Sequence, residues 1–364
     1  MNFVCSKCGK IVSTTTRAPK CECGGLWKLQ FEPPRFSLDE IDRDEWSMFR
    51  YRKFMALEDD SWKMITMGEG MTPVVAFDED VLFKMDYFMP TLSFKDRGAA
   101  VLVAHCKSIG VDSVVQDSSG NAGNSVAAYS GRAGIACEIF VPEGTSPKKI
   151  DMIRAHGAAC TVVPGSRDHC ADVCRAKVTD EGVYYANHVY NPFFYEGTKT
   201  YIYEVYEQLH RIPENVLIPV GNGTLFLGAM HALEHLVESG CIDHMPQIIA
   251  LQSEKCDPLL QSANVGSTIP TEVKPEPTLA EGIAIGKPMR GEEILEYAKK
   301  YSIRFVHAPE DKILEAREAI ARKGIYCEHT TAANYAAYLE YCRIYGPTPD
   351  CLITMCGAGL KSDH

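Results

Sequence analysis

The first group with chemical reach in this chain is an amine. In Thr91-Leu92-Ser93-Phe94-Lys95-Asp96-Arg97-Gly98 a lysine stands directly ahead of an apolar run, 98–108, whose pattern predicts a helix. A lysine at a helix start is most often a solvated charge, so its meaning depends on what else the chain offers. Two glycine turns answer that. Ser118-Ser119-Gly120-Asn121-Ala122 opens a second predicted helix. Its backbone N–H groups and hydroxyls suit a substrate carboxylate, and the Asn121 amide can donate to a ring oxygen. A plain helix cap uses the same residue types. Gly221-Asn222-Gly223-Thr224 lies between the apolar stretch "VLIPV" and another helix. Unpaired N–H donors and a favourable helix dipole make it a phosphate cup. It lacks the lysine of a P-loop and the spacing of a dinucleotide fingerprint, which argues against a nucleotide.

An amine that takes an aldehyde, a cup for phosphate and a donor for a ring oxygen together describe pyridoxal 5′-phosphate (PLP). Such groups need rigid elements to carry them. From about residue 80 short β-branched strands alternate with helical patterns: "VLFKM", then 98–108, "SVVQD", "SVAAYSGRAG", "CEIFVP", "SPKKIDMIRAHG", "CTVVPG" and 167–178. Strand, turn and helix recur at "VLIPVGNGTLFLGAMHALEHL", and "QIIALQSE" and "CLITMCGAG" are further strands. The alternation predicts an α/β protein with parallel sheet covered on both faces. Ligands then bind beyond the carboxyl ends of the strands, where the glycine turns stand. Helices are predicted at 292–301 and 310–323, and the Pro- and Gly-rich stretch 261–290 reads as a long surface loop.

The N-terminus carries different chemistry. Cys5-x2-Cys8 is followed after twelve residues by Cys21-x-Cys23, each pair trailed by glycine. Four thiolates on two tight turns predict a closed structural zinc site with no position left for catalysis. Four unmetallated thiols are the plainer alternative. The other cysteines of the fifteen lie mostly singly in apolar runs, as small buried hydrophobes of a reduced protein. The net charge of -11 argues against nucleic acid or an anionic membrane as partner. No run is long and apolar enough to span a bilayer, and the opening "MNFVCSKCGK" lacks the apolar core of a signal peptide. A cytoplasmic enzyme acting on a small molecule is expected.

These motifs, in this order, resemble the threonine synthase family, and more broadly the tryptophan-synthase-β-like PLP enzymes of fold type II. The resemblance rests on Ser93-Phe94-Lys95-Asp96-Arg97-Gly98, the Ser-Ser-Gly-Asn loop, Gly221-Asn222-Gly223-Thr224, Gly359-Leu360-Lys361 and Gly68-Glu69-Gly70-Met71-Thr72-Pro73. The cysteine pairs followed by "GGLWKLQFE" are similar to the opening of archaeal-type members. The resemblance implies two parallel-sheet α/β domains behind a small zinc-ribbon-like module. The module would span 1–30, a large PLP-binding domain 31–97 and 190–364, and a small mobile domain 98–189. It implies that Lys95 attaches the cofactor and then moves the Cα proton of the substrate. Asn121 would meet the 3′ oxygen of PLP, and residues 221–224 its phosphate. Ser118, Ser119, Gly120, Asn121 and Ala122 would grip the substrate carboxylate. Cys356, where threonine synthases have Thr, would face the pyridine nitrogen; a neutral thiol makes the ring a weaker electron sink than an Asp partner would. Like most members, the chain would be a homodimer.

Two stretches depart from the family. Its NPTGSFKDRG reads here Asp86-Tyr87-Phe88-Met89-Pro90-Thr91-Leu92 before Ser93. Its NPxRxEGQKT segment reads here Asn191-Pro192-Phe193-Phe194-Tyr195-Glu196-Gly197-Thr198-Lys199-Thr200. Phe194 replaces an arginine that contacts substrate phosphate, and no phenylalanine repeats that bidentate pairing. Lys148, Lys149 and Arg154 offer other cations, on what reads as a solvated helix face. Thr278-Leu279-Ala280-Glu281-Gly282-Ile283-Ala284 resembles a segment of serine/threonine dehydratases and places an acid near the cofactor, unless it is a capped helix entry. The expected function is threonine synthase-like: O-phosphohomoserine to threonine and phosphate. The alternative is β-elimination or β-replacement on serine, phosphoserine, diaminopropionate or threonine, as in a dehydratase, an ammonia-lyase or a cysteate synthase. A regulatory protein on a dead scaffold is disfavoured by the intact Lys95, Asn121 and phosphate cup.

Overall fold

The computed structural model describes residues 1–361. The described chain divides into two compact units, one of 1–34, 41–69 and 95–198, the other of 35–40, 70–94 and 199 onward. In the first unit, the parallel strands Ala159–Val163, Ala136–Pro142, Ser113–Gln116 and Tyr184–Tyr185 lie side by side in that order. The middle strand "ACEIFVP" shows why. Phe140 joins one apolar cluster with Cys170 and Cys174 of helix Arg167–Glu181. Its neighbours Ile139 and Val141 join another with Ala127 and Ile153, from helices Asn121–Ala133 and Pro147–Ala155. A period of two that is apolar on both sides is the mark of a covered parallel sheet.

The second unit holds a six-stranded sheet, in the order Arg304–Ala308, Gln247–Ser253, Asn215–Pro219, Cys351–Thr354, Val81–Lys84, Val74–Ala76. All neighbours are parallel except the last pair, where the short Val74–Ala76 closes an edge antiparallel. Phe83, Leu217, Ile249, Leu251, Val306 and Ile353 form its core with Ala332, Ala333 and Ala337 of helix His329–Tyr345.

Among the elements beyond the sequence reading are helices Phe193–Leu209 and His329–Tyr345 and strands Arg304–Ala308, Tyr184–Tyr185 and Val74–Ala76. The N-terminal cysteines lie at turns, with Cys5 ending a strand, in a small antiparallel sheet of Asn2–Cys5, Ile11–Ser13 and Trp27–Gln30. One reading needs correction. The stretch 261–290 is not all surface. Its start belongs to helix Pro258–Asn264, and Ala280 and Ile283 are buried in the core of the second unit. Among the described residues no helix is long and apolar enough to cross a membrane.

Candidate active site

In the first unit, Lys95 is the first residue of helix Lys95–Ser108 and is half-buried. Its Nζ stands 5.7 Å from the centroid of the Phe194 ring. The glycine of the lysine motif makes that approach possible. A Cβ on Gly98 would fall 2.3 Å from the Phe194 ring, and one on Gly197 only 1.9 Å from the Arg97 carbonyl oxygen. The two helix starts therefore meet backbone to ring and backbone to backbone, and the ring at position 194 is fixed under the amine.

The loop 118–122 follows strand Ser113–Gln116. The Ser118 hydroxyl accepts from the Gly120 N–H at 3.3 Å, and helix Asn121–Ala133 begins without a side-chain cap. Ser119 and Asn121 are half-buried and Gly120 is exposed, so the loop is open to a ligand. One turn into the helix, the buried Ser125 hydroxyl donates to Asp96, next to Lys95. This bond sets the amine relative to the loop.

Residues that sequence reasoning missed lie beside this loop. Asp117 accepts from the Tyr185 hydroxyl at 2.8 Å and from Asn187 Nδ2 at 2.8 Å. His188 follows, with its ring tilted against Phe194 at 5.8 Å. Its Nδ1 is closed off from solvent and has no hydrogen-bond partner. Burial, then the charges of Lys95 and Arg167, hold this imidazole well below its ordinary value, so it is neutral at neutral pH. The signal for it was positional: it lies just past a strand end.

In the second unit, Gly221-Asn222-Gly223 joins strand Asn215–Pro219 to helix Thr224–Glu238. Gly223 adopts φ +80°, a left-handed conformation that glycine enters freely, and the helix has no side-chain cap. The cup fits a phosphate: N–H donors stand at a helix start, and a Cβ on Gly223 would collide with Ile294 at 2.4 Å, so only glycine keeps the backbone bare there. The dehydratase-like stretch borders it, since a Cβ on Gly221 would lie 3.1–3.3 Å from Ile285, Ile283 and the Gly282 carbonyl. Thr278 accepts from the Ala280 N–H at 3.0 Å but does not cap the short helix Glu281–Ile283, whose N-cap is Ala280, and Glu281 is exposed. Cys356 is buried just past strand Cys351–Thr354. Its Sγ is 3.5 Å from Asn334 Nδ2, which also donates to the Thr354 carbonyl at 2.6 Å. Asn334 is a second residue the sequence did not flag. Lys148 and Arg154 lie exposed on helix Pro147–Ala155, as a solvated face would.

The four N-terminal sulfurs lie within 4.8 Å of one another, with Cys5–Cys23 at 3.4 Å and Cys8–Cys21 at 3.7 Å. Tetrahedral zinc with bonds of about 2.3 Å needs sulfurs about 3.8 Å apart, so the donor set fits the ion. The module is anchored by aromatic contacts. Phe3 stacks on Trp27 and meets Phe193 edge-on at 5.9 Å, and Phe193 stacks on His105 at 3.9 Å. Below that stack, burial would raise the Glu58 carboxyl, but bonds from His105, Ser108 and Thr14 overcome it and bring it to about 2. The folded chain thus refuses a proton that the unfolded chain accepts near its ordinary 4.5. This contribution to stability is complete above that value and is lost as pH falls toward 2. Urea midpoints across this window will fall for the wild type and flatten for Glu58→Gln; equal slopes would remove Glu58 from the account.

A family model described as "Pyridoxal-phosphate dependent enzyme" matches residues 65–357. Threonine synthase of Methanocaldococcus jannaschii is 29% identical over 91% of this chain and 85% of its own length. Threonine synthase of Mycobacterium leprae is 31% identical over 85% of this chain and 87% of its own. Among solved structures, the processed form of threonine deaminase isoform 2 from Solanum lycopersicum superposes with a TM-score of 0.70 at 20% identity, covering 90% of this chain and 95% of that one. At that identity the likeness speaks for the fold.

Proposed function

The chain belongs to the pyridoxal-phosphate dependent enzyme family and is threonine synthase-like, and we propose that it carries out elimination and replacement on an α-amino acid, with O-phospho-L-homoserine giving threonine and phosphate as the first reading. The observation that carries it is the Lys95 amine, fixed at its helix start over a phenyl ring and tied through Asp96 and Ser125 to an uncapped carboxylate loop. When bound, PLP supplies the electron sink for a carbanion at Cα. Lys95 holds the cofactor and moves the Cα proton. Ser118, Ser119, Gly120, Asn121 and Ala122 orient the substrate carboxylate, so that the Cα–H bond is presented in one direction. Asn121 also meets the 3′ oxygen. Gly221, Asn222, Gly223 and Thr224 hold the phosphate, and Cys356 offers the ring nitrogen a neutral thiol held by Asn334.

A second reading has a specific observation behind it. The side chain at 194, beside the amine, is a phenyl ring rather than a guanidinium, which favours β-elimination or β-replacement on serine, phosphoserine, diaminopropionate or threonine. Phosphate and threonine release from O-phospho-L-homoserine, run beside keto-acid formation from the smaller amino acids, separates the two. If the loaded enzyme turned over none of them, both would fall.

The N-terminal module we read as a structural zinc-ribbon, with Cys5, Cys8, Cys21 and Cys23 as ligands. The purified protein should hold about one zinc per chain. Cys5→Ser/Cys8→Ser should release it and lower Tm by several degrees, while loaded turnover at low temperature changes little. An unchanged Tm in a zinc-free preparation would defeat the metal. A cytoplasmic homodimer is the expected form, which sedimentation of the purified protein tests.

A further inference from the structure

His188 has no role in the chemistry assigned above, yet its position is specific. It sits two residues beyond the first-unit strand Tyr184–Tyr185, and the neighbouring parallel strand, Ser113–Gln116, runs into the carboxylate loop. Asp117 joins the two strand ends, taking one hydrogen bond from Tyr185 and one from Asn187. Asn187 Oδ1 in turn accepts from the Val189 N–H at 2.8 Å, which pins the turn that presents the histidine. The ring lies against Phe194, whose face meets Lys95 Nζ. A closed-off ring nitrogen with no partner is uncommon, because buried polar groups in native proteins are nearly all satisfied. An orphan ring nitrogen on an imidazole packed against the same phenyl ring as the reactive amine is a group waiting for a ligand atom.

We propose that His188 is the specificity-determining residue for the substrate's side chain, hydrogen-bonding an uncharged hydroxyl from a neutral imidazole, so that the preferred substrate is a hydroxyl-bearing α-amino acid such as serine or threonine rather than a phosphate ester. The inference rests on the proposed elimination or replacement at an α-amino acid and selects its second substrate reading. Position 194, in contact with both the imidazole and the amine, carries a phenyl ring where the resembling family has an arginine. A phosphate there would give up its hydration without the bidentate guanidinium that the family sets at that position. A hydroxyl loses far less and gains one bond. The role is one of binding, with no proton transferred: burial first, and then the charges of Lys95 and Arg167, disfavour the imidazolium form.

The test titrates the PLP-loaded protein with L-serine, L-threonine, L-alanine, O-phospho-L-serine and O-phospho-L-homoserine, following the cofactor absorbance. Wild type, His188→Phe and His188→Gln are compared after confirming that each melts like the wild type. The hydroxyl amino acids should bind the wild type more tightly than the phosphate esters do. His188→Phe should weaken L-serine and L-threonine roughly tenfold or more while leaving L-alanine unchanged, and His188→Gln should restore part of the loss. In the cofactor-free protein the ring 15N shifts of His188 should remain those of a neutral imidazole down to pH 6. Equal weakening of L-alanine and L-serine would reduce His188 to a structural role and overturn the proposal. So would tight binding of O-phospho-L-homoserine that is indifferent to both substitutions. A wild-type protein that takes up no cofactor would instead defeat the parent reading, and this one with it.

Discussion

Lys95→Ala will bind PLP without attaching it, and its turnover will fall by about 10³-fold or more. The size follows from a residue with two duties, since loss of a positioned proton-transfer group alone costs about 10²–10⁴-fold. Borohydride reduction gives a readout that does not depend on activity. The wild type should carry the reduced cofactor on the peptide that contains Lys95, and the variant on no peptide. The neighbours make the result interpretable. Asp96 and Arg97 stay buried and Phe194 keeps its place against Gly98, so truncation of the half-exposed amine leaves the helix start intact. A variant that kept full turnover, or wild-type label on another lysine, would remove Lys95 from the mechanism.

Glu204→Ala will cost about 3–5 kcal/mol, the largest stability loss expected from one carboxylate in the second unit. Lys84 and Glu204 are an ion pair at 2.7 Å with both side chains fully buried. The carboxylate also accepts from the Met71 N–H at 2.8 Å and the Thr72 N–H at 3.2 Å, while the ammonium donates to the Thr72 carbonyl. Removing the acid leaves a cation without its counter-charge and two amides without their acceptor. Met71 sits at φ +53°, so the turn that those bonds hold is one the chain would not keep unaided. Urea unfolding should show the midpoint falling sharply for Glu204→Ala, and less for the double variant Lys84→Met/Glu204→Leu, which removes both charges. A midpoint within the error of the wild type would mean that water reaches the pair.

The same pair marks the boundary of what the sequence could say. Strands such as "CEIFVP" and turns such as Gly221-Asn222-Gly223-Thr224 were legible because their pattern is local: an apolar alternation, a glycine where the backbone must turn, a helix directly after. Lys95 was legible for the same reason, standing at the edge of one such pattern. Glu204, Asn334 and His188 were not. Each acts through a partner brought near only by folding: Lys84 for Glu204, Cys356 for Asn334, Phe194 for the His188 ring. Helix Phe193–Leu209 escaped because every residue from Phe193 to Val205 is buried and Tyr206 is half-buried, so no solvated face marks its period. Phe194 is the mixed case. Its departure from the family's arginine was visible in sequence, whereas its place under the amine needed the structure.

The thiols differ in depth, and that difference makes them a chemical gauge. Burial pushes Cys106, Cys174, Cys327 and Cys351 up, so they stay protonated and slow toward alkylating reagents. Cys8 and Cys23 are exposed. A brief pulse of iodoacetamide on the native protein will therefore mark the N-terminal module before it marks the interior. If the module carries its metal, the pulse will be silent there until a chelator is added. Peptide mass spectrometry then counts loaded and empty molecules in one preparation, without unfolding either.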